Sequence, residues 1–214
     1  MALPAARAEH DTAVILAHGA GSDMTNPFLS AVHTGLAENG FPTVKFNFPY
    51  KERGGKAPDP AAVLERCWRH VIDAVAADKD IGARRIVIGG KSMGGRMASH
   101  VAAQGAEVAG LVFLGYPLHP PGQTQKLRTA HLGKITAPML FFAGTRDSLC
   151  NLDLLRATID TLRAPITLKV IEGGDHSFKL PKSMKRDEGE VLQEIIEDTV
   201  AWLKKIAGRP SNRK

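Results

Sequence analysis

The stretch GGKSMGG, residues 89–95, decides the fold because it agrees with two incompatible motifs. Residues 90–92, Gly-Lys-Ser, look like the end of a phosphate-binding loop, in which the lysine and the hydroxyl serve a nucleotide and its Mg²⁺. Residues 90–94, Gly-Lys-Ser-Met-Gly, also satisfy G-x-S-x-G, the pattern of a sharp turn that presents a nucleophilic serine at the end of a strand. The residues on either side of this stretch distinguish the two interpretations.

The spacing before Gly90 excludes the phosphate loop. The motif G-x-x-x-x-G-K-[ST] places another glycine at position 85, but the residue there is Arg85, and residues 86–88 are Ile-Val-Ile. These side chains favour a strand over a flexible loop. The chain therefore passes from a strand directly into Lys91, and there is no room for backbone N–H groups to wrap a phosphate.

A strand, an abrupt turn and a helix surround Ser92, as a nucleophilic serine of this kind requires. The strand is RIVIG (85–89), and glycines at positions 90, 94 and 95 flank the serine, where a strained backbone needs small neighbours. An apolar stripe of helical period follows at residues 97–102. Ser92 is then held at a helix N-terminus, whose N–H groups favour developing negative charge.

Short apolar runs rich in Val, Ile and Phe alternate with stretches of helical period along the chain. Runs that are apolar on both faces are typical of strands buried in a parallel sheet. We predict an α/β fold with a mostly parallel, doubly wound, six-stranded sheet and a site at the carboxyl ends of its strands. The predicted strands are Ala13–Ala17, Thr43–Phe48, Arg85–Gly89, Gly110–Gly115, Met139–Ala143 and Ile166–Ile171. The predicted helices lie around the apolar stripes 63–75, 97–102, 152–162 and 191–203.

Length and charge bound the class of protein. The 214 residues, 43% of them apolar, suffice for one core, and we expect a single domain over residues 11–206 with terminal tails at 1–10 and 207–214. The net charge is +6, but five basic residues and no acid fall in residues 204–214, so the body is nearly neutral. We therefore expect no nucleic-acid partner.

Apolar segments and cysteines predict the cellular compartment of the protein. No apolar run approaches the ~20 residues that span a membrane, and the N-terminus has no apolar segment of a signal sequence. Cys67 and Cys150 lie far apart and agree with reduced thiols. We expect a cytoplasmic location and no membrane partner.

A serine hydroxyl needs a base to take its proton and an acid to orient that base. In a fold of this kind both follow the serine along the chain, the acid before the histidine, on loops after later strands. Asp147 follows the strand MLFFA and His176 follows the strand ITLKVI, so we predict Asp147 as the acid and His176 as the base. Asp175 is the alternative acid, but adjacent residues rarely orient each other's rings.

Backbone N–H groups complete the predicted machinery. One oxyanion-hole donor is expected from Met93, directly after the serine, and a second from the loop HGAG (18–21) after the first strand. We choose the Ala20 N–H, and Gly21 is both the alternative donor and a candidate substrate-binding residue. His18 is expected to brace this loop.

Three further residues are candidate substrate contacts. Lys91 and Arg96 flank the serine, and they are either surface charges or groups that attract a carboxylated or phosphorylated substrate. His119 follows the strand LVFLG and is expected to line the mouth of the site. The sequence has no H-E-x-x-H motif and no cysteine pair at ligand spacing, so we expect neither a metal nor a cofactor.

With these residues placed, the chain resembles the α/β-hydrolase superfamily over about residues 11–206. More narrowly, it resembles the compact branch that contains testis-expressed hydrolase-like proteins, a related NSL-complex subunit and many bacterial predicted hydrolases. It is more distantly similar to dienelactone hydrolases, which carry a cysteine where this chain has Ser92. The segments that carry the resemblance are LAHGAGSDM (16–24), FNFPY (46–50), GGKSMGGRMAS (89–99), GYPLHPPG (115–122), GTRDSLC (144–150) and GDHSF (174–178).

The resemblance implies an α/β-hydrolase fold in which Ser92, Asp147 and His176 form a catalytic triad. Roughly two dozen residues separate the fourth and fifth predicted strands, too few for a lid domain. We expect a serine hydrolase that cleaves a small-molecule acyl substrate, an ester, thioester or amide, and an open site favours small or exposed acyl groups. The alternatives are a non-catalytic binding or scaffold module that retains the fold, and the same fold with another chemistry such as perhydrolysis or a lyase reaction.

Overall fold

The computed structural model describes residues 10–208. Residues 1–9 and 209–214 lie outside the described range. The part of the chain that is not described includes nearly all of the predicted N-terminal tail. It also takes in three of the basic residues near the C-terminus, Arg209, Arg213 and Lys214.

The six predicted strands form and pair in one sheet. They are β1 (Thr12–Ala17), β2 (Thr43–Phe46), β3 (Arg85–Lys91), β4 (Gly110–Leu114), β5 (Met139–Gly144) and β6 (Ile166–Ile171). The strand order is β2-β1-β3-β4-β5-β6, and every neighbouring pair is parallel. The prediction of a six-stranded, doubly wound α/β fold is confirmed.

Two strand ends differ from the prediction by two residues. β3 continues to Lys91 because Gly90 and Lys91 stay paired with β4. β2 ends at Phe46 because the backbone N–H of Phe48 leaves the sheet and donates to Nε2 of His18, at 3.2 Å. Both differences place backbone above β1 and β3, where the predicted site lies.

The helices outnumber those predicted. The helical segments are α1 (Pro27–Glu38), α2 (Pro49–Glu52), α3 (Ala61–Ala77), α4 (Met93–Ala103), a 3₁₀ turn (Leu132–Lys134), α5 (Leu152–Asp160) and α6 (Glu188–Ala207). The predicted stripes correspond to α3, α4, α5 and α6, whereas α1 and α2 were not predicted. α1 begins at Pro27, and the side chain of Asn26 caps it by accepting from the N–H of Leu29, at 3.1 Å.

The helices cover both faces of the sheet, and β1 shows why. Its residues alternate between faces: Ala13 and Ile15 pack against α3 and α4, whereas Val14 and Leu16 pack against α1 and α6. Every residue of β1 is fully buried. In the sequence, a strand that is buried on both faces is a continuous apolar run. The fold prediction depended on this pattern.

α6 is the longest described helix, and its ends follow helix electrostatics. The side chain of Asp187 accepts from the N–H of Glu190 at the N-terminus, and Lys204 and Lys205 lie in the last turn. One face of α6 is buried against the sheet and the other is charged. Within residues 10–208, no helix is long and apolar enough to cross a membrane.

The order of the strands fixes where a site forms. The chain reverses its direction of winding between β1 and β3, and the loops after these two strands diverge there to leave a crevice at the carboxyl edge. Residues 115–138, which join β4 to β5, contain a single 3₁₀ turn and form no lid domain. The crevice therefore stays open above β1 and β3.

Candidate active site

Ser92 lies in the turn between β3 and α4, with φ 51° and ψ −116°. Positive φ is unfavourable for a residue with a side chain, and it is tolerated where the surroundings impose it. Both flanking glycines press on β1: a Cβ on Gly90 would lie 2.1 Å, and one on Gly94 2.3 Å, from the carbonyl oxygen of Ala17. Only glycine fits at these two positions, and this close packing fixes Ser92 above the end of the sheet.

The structure brings Ser92, His176 and Asp147 into one hydrogen-bonded chain. Ser92 Oγ lies 2.8 Å from His176 Nε2, and His176 Nδ1 lies 2.9 and 2.8 Å from the two carboxylate oxygens of Asp147. The Asp147 side chain is fully buried, whereas that of His176 is 21% exposed. An ionised carboxylate at Nδ1 favours the tautomer whose Nδ1–H donates to it, which leaves Nε2 free to accept from the serine.

Asp175, the alternative acid, holds its own loop instead. Its carboxylate accepts from the backbone N–H groups of Ser177 and Lys179, at 2.7 and 3.0 Å. The loop bearing Asp147 is joined to this one, because the N–H of Arg146 donates to the carbonyl of Gly174, at 2.9 Å. The acid and the base therefore sit on two loops that are bonded together.

The loop after β1 passes directly beside the serine. A Cβ on Gly19 would lie 3.5 Å from Cβ of Ser92. Among the described residues, nothing accepts the Ala20 N–H, and Met93 is the first residue of α4, where N–H groups have no intrahelical acceptor. Both predicted oxyanion-hole donors thus have unpaired N–H groups next to Ser92. Gly21 also lines the crevice.

His18 braces this loop from behind. Its Nδ1 lies 2.8 Å from the carbonyl oxygen of Gly19, and its Nε2 accepts from the N–H of Phe48. Burial lowers the pKa of His18, so its ring stays neutral and can donate at one nitrogen while it accepts at the other. The Tyr50 hydroxyl holds the next residue by donating to the carbonyl of Ala20, at 2.9 Å.

Lys91 lines the same cavity as Ser92, and its ammonium is bonded to the loop that carries the histidine. Its side chain is half-buried, Nζ donates to the backbone carbonyl of His176, and the same ammonium lies 5.6 Å from the ring centroid of Phe178. Burial lowers the pKa of Lys91 to about 8, although the carboxylates of Asp147 and Asp175 raise it. The residue before the serine is thus tied to the loop that carries the histidine.

The structure does not bring Arg96 or His119 to the crevice. His119 is buried, with Nδ1 2.9 Å from the carbonyl of Pro120 and Nε2 accepting from the N–H of Asn151, so it braces the loop before α5. Arg96 is half-buried on α4, where its Nε has no hydrogen-bond partner and burial lowers its pKa. Neither residue lines the cavity that contains Ser92.

A cavity of about 860 Å³ opens beside Ser92, between the N-terminal ends of α1 and α6. Its walls include the loop 19–22, the first turn of α1 and the residues after His176. A smaller cavity of about 490 Å³ lies along α3 and holds none of the predicted site residues. Sequence reasoning missed the wall of the larger cavity, because Phe28, Phe178 and Leu192 have the pattern of ordinary core residues.

A second serine–histidine pair lies farther along α4. Ser99 Oγ is 2.7 Å from His131 Nε2, but the same hydroxyl lies 2.6 Å from the carbonyl oxygen of Arg96, to which it donates. Ser99 is fully buried, and it lines no part of the larger cavity. Because the Ser99 hydroxyl donates its proton to the backbone carbonyl of Arg96, His131 is the donor in the serine–histidine pair. Over residues 10–208, no cluster of three or more His, Cys, Asp or Glu side chains is arranged to hold a metal ion.

A parallel sheet with a serine on the turn after its third strand, and an acid and a histidine on later loops, defines the α/β-hydrolase class. The family model of the alpha/beta hydrolase domain matches residues 10–204. The chain therefore belongs to the alpha/beta hydrolase family.

Solved structures agree with this fold. An alpha-beta serine hydrolase homologue from Coxiella burnetii has a TM-score of 0.74 and 22% identity, over 94% of this chain and 88% of that one. A dienelactone hydrolase from Anabaena variabilis has a TM-score of 0.73 and 20% identity, over 95% and 88%. A serine hydrolase without a lid from Xanthomonas campestris has a TM-score of 0.70 and 18% identity, over 94% and 86%. At these identities the likeness establishes the fold.

Proposed function

We propose that the protein is a serine hydrolase that cleaves a small ester, thioester or amide through an acyl-enzyme on Ser92. The observation that carries this proposal is the unbroken hydrogen-bonded chain from Ser92 through His176 to a buried Asp147, which opens into a cavity. Membership of the alpha/beta hydrolase family supports hydrolysis as the reaction.

In the acylation step, Ser92 Oγ attacks the carbonyl carbon of the substrate while His176 Nε2 takes the hydroxyl proton. Asp147 holds the ring and stabilises the imidazolium that forms. The carbonyl oxygen becomes an oxyanion that accepts from the N–H groups of Met93 and Ala20. When the tetrahedral intermediate collapses, the bond to the leaving group breaks and the leaving group takes the proton from His176.

In the deacylation step, water replaces the leaving group. His176 Nε2 takes a proton from the water, whose oxygen attacks the acyl carbon of the ester on Ser92. The same two N–H groups stabilise the second oxyanion. The acyl–oxygen bond then breaks, the proton returns to Ser92 Oγ, and a carboxylic acid leaves.

Replacing each serine tests this proposal directly. Ser92→Ala is expected to abolish turnover of p-nitrophenyl acetate, with kcat falling on the order of 10⁴-fold or more. Ser99→Ala, on the helix that follows Ser92 and with its hydroxyl at a similar distance from a histidine, is the matched control and is expected to keep kcat within about threefold. Undiminished turnover in Ser92→Ala would contradict the proposal.

A fluorophosphonate probe separates an enzyme from a binding module. The folded wild-type protein is expected to gain one adduct by intact mass, located on the peptide that contains Ser92, and Ser92→Ala is expected to gain none. An unlabelled but folded wild type would favour the alternative, a non-catalytic module that retains the fold.

A narrower family assignment and a cellular location are also part of the proposal. The six motif segments support a place in the compact branch that contains the testis-expressed and NSL-subunit-like hydrolases. The two well-separated cysteines support a cytoplasmic location, and the near-neutral body of the chain supports a small-molecule acyl substrate over nucleic acid or membrane as the partner.

A further inference from the structure

The cavity beside Ser92 has one apolar wall. Phe28 and Ala31 of α1 face it together with Phe178, Val191 and Leu192, of which the last two lie on α6. Three of these side chains, Phe28, Ala31 and Leu192, are only partly buried although they are apolar. An apolar group that entered the cavity would cover surface that is now in contact with water.

The backbone at Phe178 shows that this wall is held in place. Phe178 has φ 64°, which is strained for a residue with a large side chain. The loop around Asp175 holds that conformation, because the N–H of Phe178 donates to the carbonyl of Asp175, at 2.9 Å. The strained turn directs the ring against Phe28, with centroids 5.5 Å apart, so that the two rings form one surface.

The wall is continuous with the predicted oxyanion loop. The lining runs from residues 19–22, beside Ser92, through Asn26 and Pro27 to Phe28 and Ala31 along α1. In the proposed mechanism the carbonyl oxygen of an acyl group on Ser92 accepts from the Ala20 N–H, so the rest of the acyl chain would begin beside this loop. The cavity is therefore placed to receive the acyl side of the substrate.

The charges around the cavity favour an uncharged occupant. The Lys91 ammonium is bonded to the His176 carbonyl. The remaining charged side chains of the lining, apart from His176, are Lys179 and Glu188, which are exposed and of opposite sign. An anionic acyl group would lie against the apolar side chains of Phe28 and Leu192, at a cost in desolvation.

We propose that this cavity binds an uncharged apolar acyl group larger than acetyl, such as hexanoyl or phenylacetyl. The inference rests on the proposed function, since it describes what the acyl-enzyme on Ser92 carries. It narrows the expectation that an open site favours small or exposed acyl groups, because the ends of α1 and α6 supply an apolar wall without a lid domain.

A series of p-nitrophenyl esters tests the inference. For the wild-type protein, kcat/KM is expected to rise at least about tenfold from the acetate to the hexanoate, because each buried methylene strengthens binding. Ala31→Leu fills part of the cavity and is expected to lower kcat/KM for the hexanoate about tenfold while that for the acetate stays within about threefold. Thr34→Leu, an exposed position on the same helix outside this cavity, is the matched control and is expected to change neither.

A second variant keeps the test independent of the folding of Ala31→Leu. Leu192→Ala widens the cavity and is expected to move the preferred chain length upward, from hexanoate towards decanoate. Equal kcat/KM for the wild type on acetate and hexanoate, or a preference that appears only when the alcohol of an acetate ester is lengthened, overturns the inference. The proposed function survives either result as long as Ser92 is labelled and needed for turnover of the acetate, so the two failures are distinguishable.

Discussion

Two serine–histidine pairs lie near α4, one with its serine in the turn before the helix and one with its serine within it, and their surroundings differ. The Oγ–Nε2 distances are nearly equal, 2.8 Å for Ser92 and His176 and 2.7 Å for Ser99 and His131. The first pair has a carboxylate on the far side of its ring and a cavity beside its serine. The second has a serine that is fully buried and donates to a backbone carbonyl. A short distance therefore does not define a nucleophile; access and the third group do.

The histidine of the second pair is also a poor proton acceptor. Burial, together with the nearby charges of His100 and Arg96, lowers the pKa of His131 to about 4. A general base at neutral pH must accept a proton readily, and a ring with so low a pKa does not. Among the described residues, no carboxylate bonds to the His131 ring, since Glu65 bonds to His100 instead, at 2.8 Å.

The largest expected effect is the loss of the base from the first pair. His176→Ala removes the group that takes the proton of Ser92, so kcat for p-nitrophenyl acetate is expected to fall on the order of 10⁴-fold or more. His131→Ala is the matched variant, and its kcat is expected to stay within about threefold in the fraction that is folded. Steady-state kinetics on both proteins measure the contrast, and equal losses of kcat would remove the distinction between the pairs.

The next largest effect is expected from replacing the acidic residue beside each histidine cluster, Asp147 at His176 and Glu65 at His100. Asp147→Asn keeps the shape of the side chain, but it removes the charge that favours the productive His176 tautomer, and kcat is expected to fall about 10³-fold. Glu65→Gln makes the same chemical change beside His100 and is expected to leave kcat within about threefold. If Asp147→Asn kept full activity, the orienting role would have to pass to another group, with Asp175 the nearest candidate along the chain.

The residues of the first pair could be predicted because local pattern determines them. Ser92 needs a strand, small neighbours and a helix, and all of these are adjacent in the sequence. Asp147 and His176 follow strands that are recognisable as apolar runs buried on both faces. The order of serine, acid and histidine then selects them from many residues of the same type, and the order of strands in the sheet brings them together.

Contacts between distant segments could not be predicted in this way. Lys91 reaches the carbonyl of a residue 85 positions away, which no local pattern encodes. The cavity wall joins Phe28 to Phe178 across a still longer gap in the sequence. α1 was missed because its apolar stripe is short, although Asn26 followed by Pro27 is a recognisable helix start. Arg96 was placed at the site because it is near Ser92 in sequence, and His119 because it follows a strand, but the cavity beside Ser92 is lined by neither.

Replacing Lys91 is expected to have a smaller effect on catalysis, through the position of the His176 ring in the first pair. Lys91→Met keeps the length of the side chain but removes the hydrogen bond to the His176 carbonyl, so the ring is less well positioned. We expect kcat for p-nitrophenyl acetate to fall about tenfold while KM stays within about threefold. Lys179→Met, on the exposed rim of the same cavity, is the control and is expected to change neither. A rise in KM with kcat intact would instead restore Lys91 as a group that contacts the substrate.

The smallest expected effect concerns the second pair, and it is a loss of folding stability at acid pH. The folded pKa of His131, about 4, lies below its ordinary value of 6.5, so between these pH values the unfolded chain binds a proton that the folded protein does not. Stability from this ring is complete above pH 6.5 and is lost as the pH falls towards 4. His131→Gln keeps an N–H for Ser99 without the titration. His100, Glu65, Arg96 and Lys134, the other groups around the ring, are common to both proteins.

Urea titrations of the wild type and of His131→Gln at pH 7 and pH 4.5 measure this difference. The ring is partly exposed, so we expect the free energy of unfolding of the wild type to fall by about 2 kcal/mol more than that of the variant, which is less than a fully buried ring would give. A difference that did not change with pH would mean that His131 is protonated in the folded protein as readily as in the unfolded chain. The lowered pKa of His131 would then no longer argue against it as a base, and access and the carboxylate alone would distinguish the two pairs.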